Sequence, residues 1–171
     1  MNSNDRRQLI EKTLIEANNA KKGIELALRF SVTRQVIVKD VALLRASGVN
    51  IIATPEGYMI PKIQINSVRR VIVLSHTKDE IEEELKIIVR FGGVIEDVIV
   101  EHPLYGEIKA MLMIKTYEDI KNFISKFNLS NAQPLSTLTL GVHIHTITAE
   151  SLEIMDKITN ELRCRGFLIL D

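Results

Sequence analysis

The chain has 171 residues, and its 22 basic and 22 acidic side chains cancel to a net charge of zero. With 46% apolar and 26% charged residues it is neither disordered nor fibrous, and its length suits one ordinary domain or two small ones. No apolar run approaches the ~18 residues of a membrane span. The start MNSNDRRQLIEK has no apolar signal core, and the single Cys164 excludes an internal disulfide. A cytoplasmic protein with no membrane partner is expected.

Residues 1–60 predict three helices and a hairpin. The first runs from Asn4 to about Asn18, with Leu9, Ile10, Leu14 and Ile15 near helical spacing. The stretch ANNAKKG breaks it. A short second helix covers Ile24–Phe30, and a third begins after Thr33, its expected N-cap, and stops at Gly48. Two short strands, Asn50–Ala53 and Tyr58–Ile60, flank the turn Thr54-Pro55-Glu56-Gly57. This segment carries nine Lys/Arg against six Asp/Glu, whereas residues 61–171 carry thirteen against sixteen. A basic front and an acidic rear suit different partners.

The third helix carries the chemistry of the first unit. Ile37, Val41 and Leu44 fall at i, i+4, i+7 and should pack inward. The opposite face presents Arg34, Gln35, Val38, Lys39 and Ala42. Arg reads guanine, Gln reads adenine, and small apolar groups accept a thymine methyl. Lys39 and the Thr33 hydroxyl suit phosphate. An ordinary solvated helix face is the plainer alternative.

The string VTRQVIVKDVALLRASGVNIIATPEGYMI resembles the winged helix-turn-helix that opens many bacterial small-molecule-responsive repressors, over about residues 4–60. That resemblance implies double-stranded operator DNA as partner, with Thr33, Arg34, Gln35 and Lys39 as contacts and the hairpin as wing.

After a connector at residues 61–67 the rhythm changes. Strands are predicted at Arg70–Ser75, Val94–Val100, Ile108–Ile114, Leu138–Thr148 and Phe167–Leu170. Helices are predicted at Asp79–Phe91, Tyr117–Phe127 and Ala149–Arg165. The order is β-α-β-β-α-β-α-β, so the whole chain is α+β with a boundary near residue 60 and a second domain over 68–171.

All four histidines lie in this second unit. His143 and His145, in GVHIHTI, share one strand face about 7 Å apart, close enough to share a metal ion. A solvated sheet face would also explain them. His76 ends another strand and precedes a helix. In that helix Ile81, Leu85 and Ile88 form the buried stripe, and Glu84 sits beside it. A carboxylate there needs a partner, which a metal, a buried Arg or a solvated rim could supply. Three imidazoles with a carboxylate suit zinc, nickel or ferrous iron. His102, in the turn EHPLYGE, is a candidate outer-shell or effector-pocket group together with Tyr105.

His76, the following EEEL, HPLYGEI and GVHIHTI together resemble the three-histidine (3H) domain over about residues 68–171, an open-faced sandwich similar to the HPr fold. With the winged helix in front, the chain resembles the NiaR-type nicotinic-acid-responsive repressors of NAD biosynthesis and niacin uptake genes. The resemblance implies one divalent transition metal, nickel or zinc, on His76, Glu84, His143 and His145, with nicotinic acid as co-repressor. It also implies a non-enzymatic protein.

Leu140, Val142 and Ile144 alternate with the strand histidines and so face the other way. Either the histidine face is the helix-covered one, or Val142 and Ile144 are buried in a dimer interface. The second is preferred, because a two-fold operator calls for a homodimer. Two other functions compete: a repressor that senses the metal itself, and a metal-dependent hydrolase, for which neither HExxH nor a nucleophile elbow is present.

Overall fold

The computed structural model describes residues 2–61 and 67–169. The chain forms two compact units, Met1–Ile63 and Gln64–Asp171. Most of the predicted connector, residues 62–66, lies outside the described residues, as does Leu170 of the predicted last strand.

In the first unit α1 (Ser3–Glu16), α2 (Gly23–Arg29) and α3 (Arg34–Ala46) precede the hairpin β1 (Ile52–Thr54) and β2 (Gly57–Met59). Their apolar faces meet in a core of Ile10, Leu14, Leu26, Ala27, Ile37, Val41 and Leu44, closed by Ile51. The starts of α1 and α3 are fixed by side chains. The Asn2 side chain caps the first turn of α1, and the Thr33 hydroxyl accepts the Val36 N–H at α3. The hairpin is tied back to the helices by a third extended segment that the sequence does not announce. Lys21 exchanges both main-chain hydrogen bonds with Tyr58, at 2.8 and 2.9 Å. Gly57 makes this approach possible: φ is +132°, and a Cβ there would collide with the Lys21 carbonyl.

In the second unit the strands are β3 (Val68–Ser75), β4 (Val94–His102), β5 (Gly106–Ile114) and β6 (Val142–Ala149). The helices are α4 (Ile81–Arg90), α5 (Tyr117–Ser130) and α6 (Leu152–Cys164). The sheet is antiparallel throughout, in the order β3-β6-β4-β5. One core joins all three helices to one sheet face: Leu85 and Ile88 of α4, Ile120 of α5, and Met155, Ile158 and Leu162 of α6. They meet Ile72, Leu74, Ile95, Ile114 and Ile147. The chain is thus α+β, an antiparallel sheet covered by helices on one side. Beyond α6, Phe167 to Ile169 lies along the outer edge of β3, where Ser75 N–H donates to the Phe167 carbonyl and Ile169 N–H to the Val73 carbonyl.

The predicted strand Leu138–Thr148 begins four residues later than read. Residues Leu135–Thr139 form a 3-10 turn, and the left-handed pair Leu140 (φ +54°) and Gly141 (φ +99°) redirects the chain into β6. The alternation of Leu138, Thr139 and Leu140 mimics a strand, but Leu140 is 96% exposed and pairs with nothing in the sheet. Gly141 is required: a Cβ would sit 2.7 Å from the His76 carbonyl oxygen.

The strand faces also correct the expectation about burial. His143, His145, Ile147 and Ala149 point to the helix-covered side, and all are buried. The histidine face is therefore the covered one. Val142 and Ile144, with their β3 neighbours Val71 and Val73, occupy the open side.

Candidate metal centre and nucleic-acid interface

Three elements converge on one point in the second unit. β3 ends at Ser75 and delivers His76; a capping box on Thr77 and Glu80 then starts the turn into α4. α4 places Glu84 on the side that faces β6, between Ile81, Leu85 and Ile88, and 1% exposed. β6 adds His143 and His145 from the same strand face. His76 Nε2 lies 2.8 Å from Glu84 Oε2, His143 Nε2 lies 3.6 Å from the same oxygen, and His145 Nε2 lies 3.0 Å from Oε1. One ligand atom each from His76, Glu84 and His143 falls within 4.8 Å of the others. The rings meet edge to face, with centroids 4.8 Å apart for His76–His143 and 4.9 Å for His143–His145.

The other ring nitrogens decide the chemistry. His76 Nδ1 donates to the Thr77 carbonyl at 2.8 Å, His143 Nδ1 to the Gly141 carbonyl at 2.9 Å, and His145 Nδ1 to the Asp97 carbonyl. A carbonyl only accepts, so each Nδ1 holds a proton. A neutral ring in that form presents a bare Nε2. Three such atoms then face a carboxylate that also only accepts. Positive charge must lie among them, as ring protons or as a cation. Glu84 Oε1 has no hydrogen-bond partner among the described residues, because the His145 approach lacks hydrogen-bond geometry. An orphaned oxygen beside three imidazole nitrogens, all donors that transition metals take, fits a divalent metal.

The electrostatics run the same way. Burial alone would push the Glu84 carboxyl up. The three imidazoles gathered round it, with the His145 charge the largest influence, outweigh burial and hold Glu84 well below the usual carboxylate range. Burial disfavours charged His76 and His145, but the Glu84 carboxylate raises both above the ordinary imidazole value.

His102 and Tyr105 lie at the β4–β5 turn. The two rings stack at 4.9 Å and 30°, and His102 Nδ1 accepts from Leu104 N–H at 3.2 Å and Tyr105 N–H at 3.3 Å. Val98 pairs with His145, so Val98, Val100 and His102 alternate onto the histidine face of the sheet. Tyr105 is 73% exposed.

No local pattern in the sequence marks Asp97, Lys109, Phe167, Arg6 or Asp40 as contributors. Asp97 supplies the carbonyl for His145 and also contacts Lys109. Phe167 places its ring 5.1 Å from that of His76. In the first unit Arg6 donates to Asp40 at 2.6 Å, joining α1 to a buried carboxylate of α3. Only Gly141 had a visible signal, as the glycine directly before the histidine strand.

On α3, Arg34, Gln35, Val38, Lys39 and Ala42 are all exposed, as is the capping Thr33. The exposed side chains include two cations and one amide in the first two turns, the arrangement of a recognition helix.

Residues 6–59 match a helix-turn-helix (HTH) domain family, and residues 69–171 match the 3H domain. A helix-turn-helix unit followed by a histidine-bearing 3H unit defines a class, the 3H-domain transcription repressors. The chain is 43% identical over 165 residues to a probable transcription repressor NiaR of Thermotoga maritima, covering 96% of this chain and 94% of that one. It is 41% identical over 174 residues to the transcription repressor NadR of Bacillus subtilis, covering 100% of this chain and 96% of that one. The chain belongs to the NiaR/NadR family of transcription repressors. It acts by binding DNA and is not a hydrolase. No described helix is long and apolar enough to cross a membrane.

Proposed function

We propose that the repressor binds operator DNA as a homodimer and uses nicotinic acid as co-repressor. One divalent transition metal, nickel or zinc, would sit on His76, Glu84, His143 and His145. The genes under its control would be those of NAD biosynthesis and niacin uptake. The observation that carries the metal assignment is the convergence of three Nε2 atoms on a buried carboxylate, with every Nδ1 committed to a carbonyl. The bound metal would supply a fixed positive charge that locks β3, β6 and α4 together.

Effector recognition falls to His102 and Tyr105. With Nδ1 accepting two main-chain N–H groups, a neutral His102 carries its proton on Nε2. That N–H can donate to a carboxylate, and the stacked Tyr105 offers a flat surface to an aromatic ring. Nicotinate would act by its differential affinity for the DNA-competent state. Dimerisation is assigned to the open sheet face, where Val71, Val73 and Val142 are exposed. At the DNA, Arg34 and Gln35 would read bases while Thr33 and Lys39 hold phosphates.

A second reading has its own support. Four protein donors complete the usual zinc shell, and Glu84, His143 and His145 are all at most 3% exposed. A sealed, filled shell leaves no position for an effector atom and favours a repressor that senses the metal itself. A gel shift decides between them: operator binding that rises with nicotinate at fixed metal supports co-repression. Binding that follows metal and ignores nicotinate supports metal sensing.

A further inference from the structure

β4 carries a bulge between Ile95 and Asp97, seen against both β5 and β6. Asp97 is 0% exposed there, yet it is neither part of the apolar core nor one of the converging ligands. Its carboxylate Oδ1 accepts the Thr146 N–H at 3.0 Å, and Oδ2 lies 2.7 Å from Lys109 Nζ. The Lys109 approach lacks hydrogen-bond geometry, so charge alone holds Oδ2. The main-chain carbonyl of the same residue accepts the His145 Nδ1–H. Asp97 thus grips two successive residues of β6, one through its side chain and one through its backbone.

We propose that Asp97, anchored by Lys109, is a positioning residue of the histidine centre: it fixes the bulge whose carbonyl commits His145 to the Nδ1–H form and leaves Nε2 bare toward Glu84. The inference rests on the metal reading above. A bulge re-aims main-chain groups out of the regular ladder. Here the carboxylate takes a main-chain N–H, which leaves the carbonyl free to turn toward the imidazole. The group on the far nitrogen of a metal-binding histidine sets ring orientation and basicity, and losing it typically costs about 10–100-fold in metal affinity. Lys109 completes the device by supplying the counter-charge that a buried carboxylate needs to stay in place.

The test uses the full chain as wild type, Asp97→Ala, Asp97→Asn, Lys109→Met and Lys109→Arg. The probe is Co2+ alone, read by titration and by its d–d absorption. A second measurement, long-range 1H–15N correlation of the metal-free protein at about pH 8, reads which ring nitrogen of His145 holds the proton. Asp97→Ala is expected to weaken Co2+ by about 10–100-fold and to change the absorption band. It should also remove the Nδ1–H preference of His145 while His76 and His143 keep theirs. Lys109→Met should weaken Co2+ less, and Lys109→Arg should restore it. Asp97→Asn retains the Thr146 hydrogen bond, so it carries the test if the alanine variant does not fold; its loss should match that of Lys109→Met. Unchanged affinity, band and tautomer in folded variants, with only a lower melting temperature, would overturn the proposal. A wild type that binds no Co2+ would refute the metal reading instead, and the nitrogen spectra of Asp97→Ala would still decide the positioning role.

Discussion

The two units display their chemistry in opposite ways. The first presents Arg34, Gln35 and Lys39 to solvent on a helix whose other side is core. The second hides His143, His145 and Glu84 between a sheet and a helix, each at most 3% exposed. An exposed reading surface can change its side chains with little effect on the fold. A buried polar cluster cannot, because its members are also partners in packing. Specificity and stability are therefore separable in the front unit and inseparable in the rear one.

The largest test of that contrast removes Glu84. Glu84→Ala should abolish stoichiometric metal binding, a loss beyond the about 100-fold typical of outer-shell changes. His143→Ala should behave alike. Elemental analysis checks both, and one equivalent of metal retained in each would sink the four-ligand assignment. Next in size is Asp40→Ala, which sharpens the contrast from the other side. It strips the shared carboxylate partner from Arg6 and Arg7 and should lower the stability of the first unit. Thermal unfolding of the full chain should show that loss while metal content stays at wild-type level.

Arg34→Ala or Gln35→Ala should then cost about 1–3 kcal/mol on the operator and relax base preference, with the melting temperature unchanged. Lys39→Ala should weaken specific and random DNA alike. Fluorescence anisotropy on both DNAs separates these outcomes, and equal losses on the two for Arg34→Ala would remove it from base reading.

The smallest effect is a pH dependence of opposite sign in two states of the second unit. Without metal, His76 and His145 have raised values in the fold, so their contribution is full below about 6.5 and lost as pH rises through those raised values. Glu84 is lowered, so its contribution is present above about 4.3 and lost only as pH falls through its lowered value. Chelated protein should therefore be most stable between these limits. Metal-loaded protein should instead gain stability as pH rises up to about 6.5, where the unfolded imidazoles lose their protons, because imidazole binds metal only when deprotonated. Melting curves with zinc and with chelator from pH 5 to 9 would show two slopes of opposite sign; parallel slopes would remove the metal from the centre.

Much of this arrangement was legible from periodicity. The i, i+4, i+7 spacing of Ile37, Val41 and Leu44 marked the buried side of α3, and all three are buried. The same spacing in α4 placed Glu84 beside the stripe, where it is indeed enclosed. Groups joined across long separations were silent. Arg6 and Asp40 are 34 positions apart, and Asp97 and His145 are 48 apart. No local pattern encodes such pairs. The start of β6 was misread because Leu138 to Leu140 alternate like a strand. What ends that pattern is the close approach of Gly141 to the His76 backbone, a tertiary event.

The seal over the histidine centre has a kinetic consequence. His76, Glu84, His143 and His145 side chains are each at most 4% exposed, and Phe167 closes over His76. A chelator cannot reach an ion held there until β6 and α4 part locally. Release would then proceed at the opening rate, and adding more chelator would not hasten it. A regulator holding a metal ion in such a centre would answer quickly at its exposed helix and slowly at its buried site, and would keep a record of past metal supply over many rounds of binding and leaving DNA.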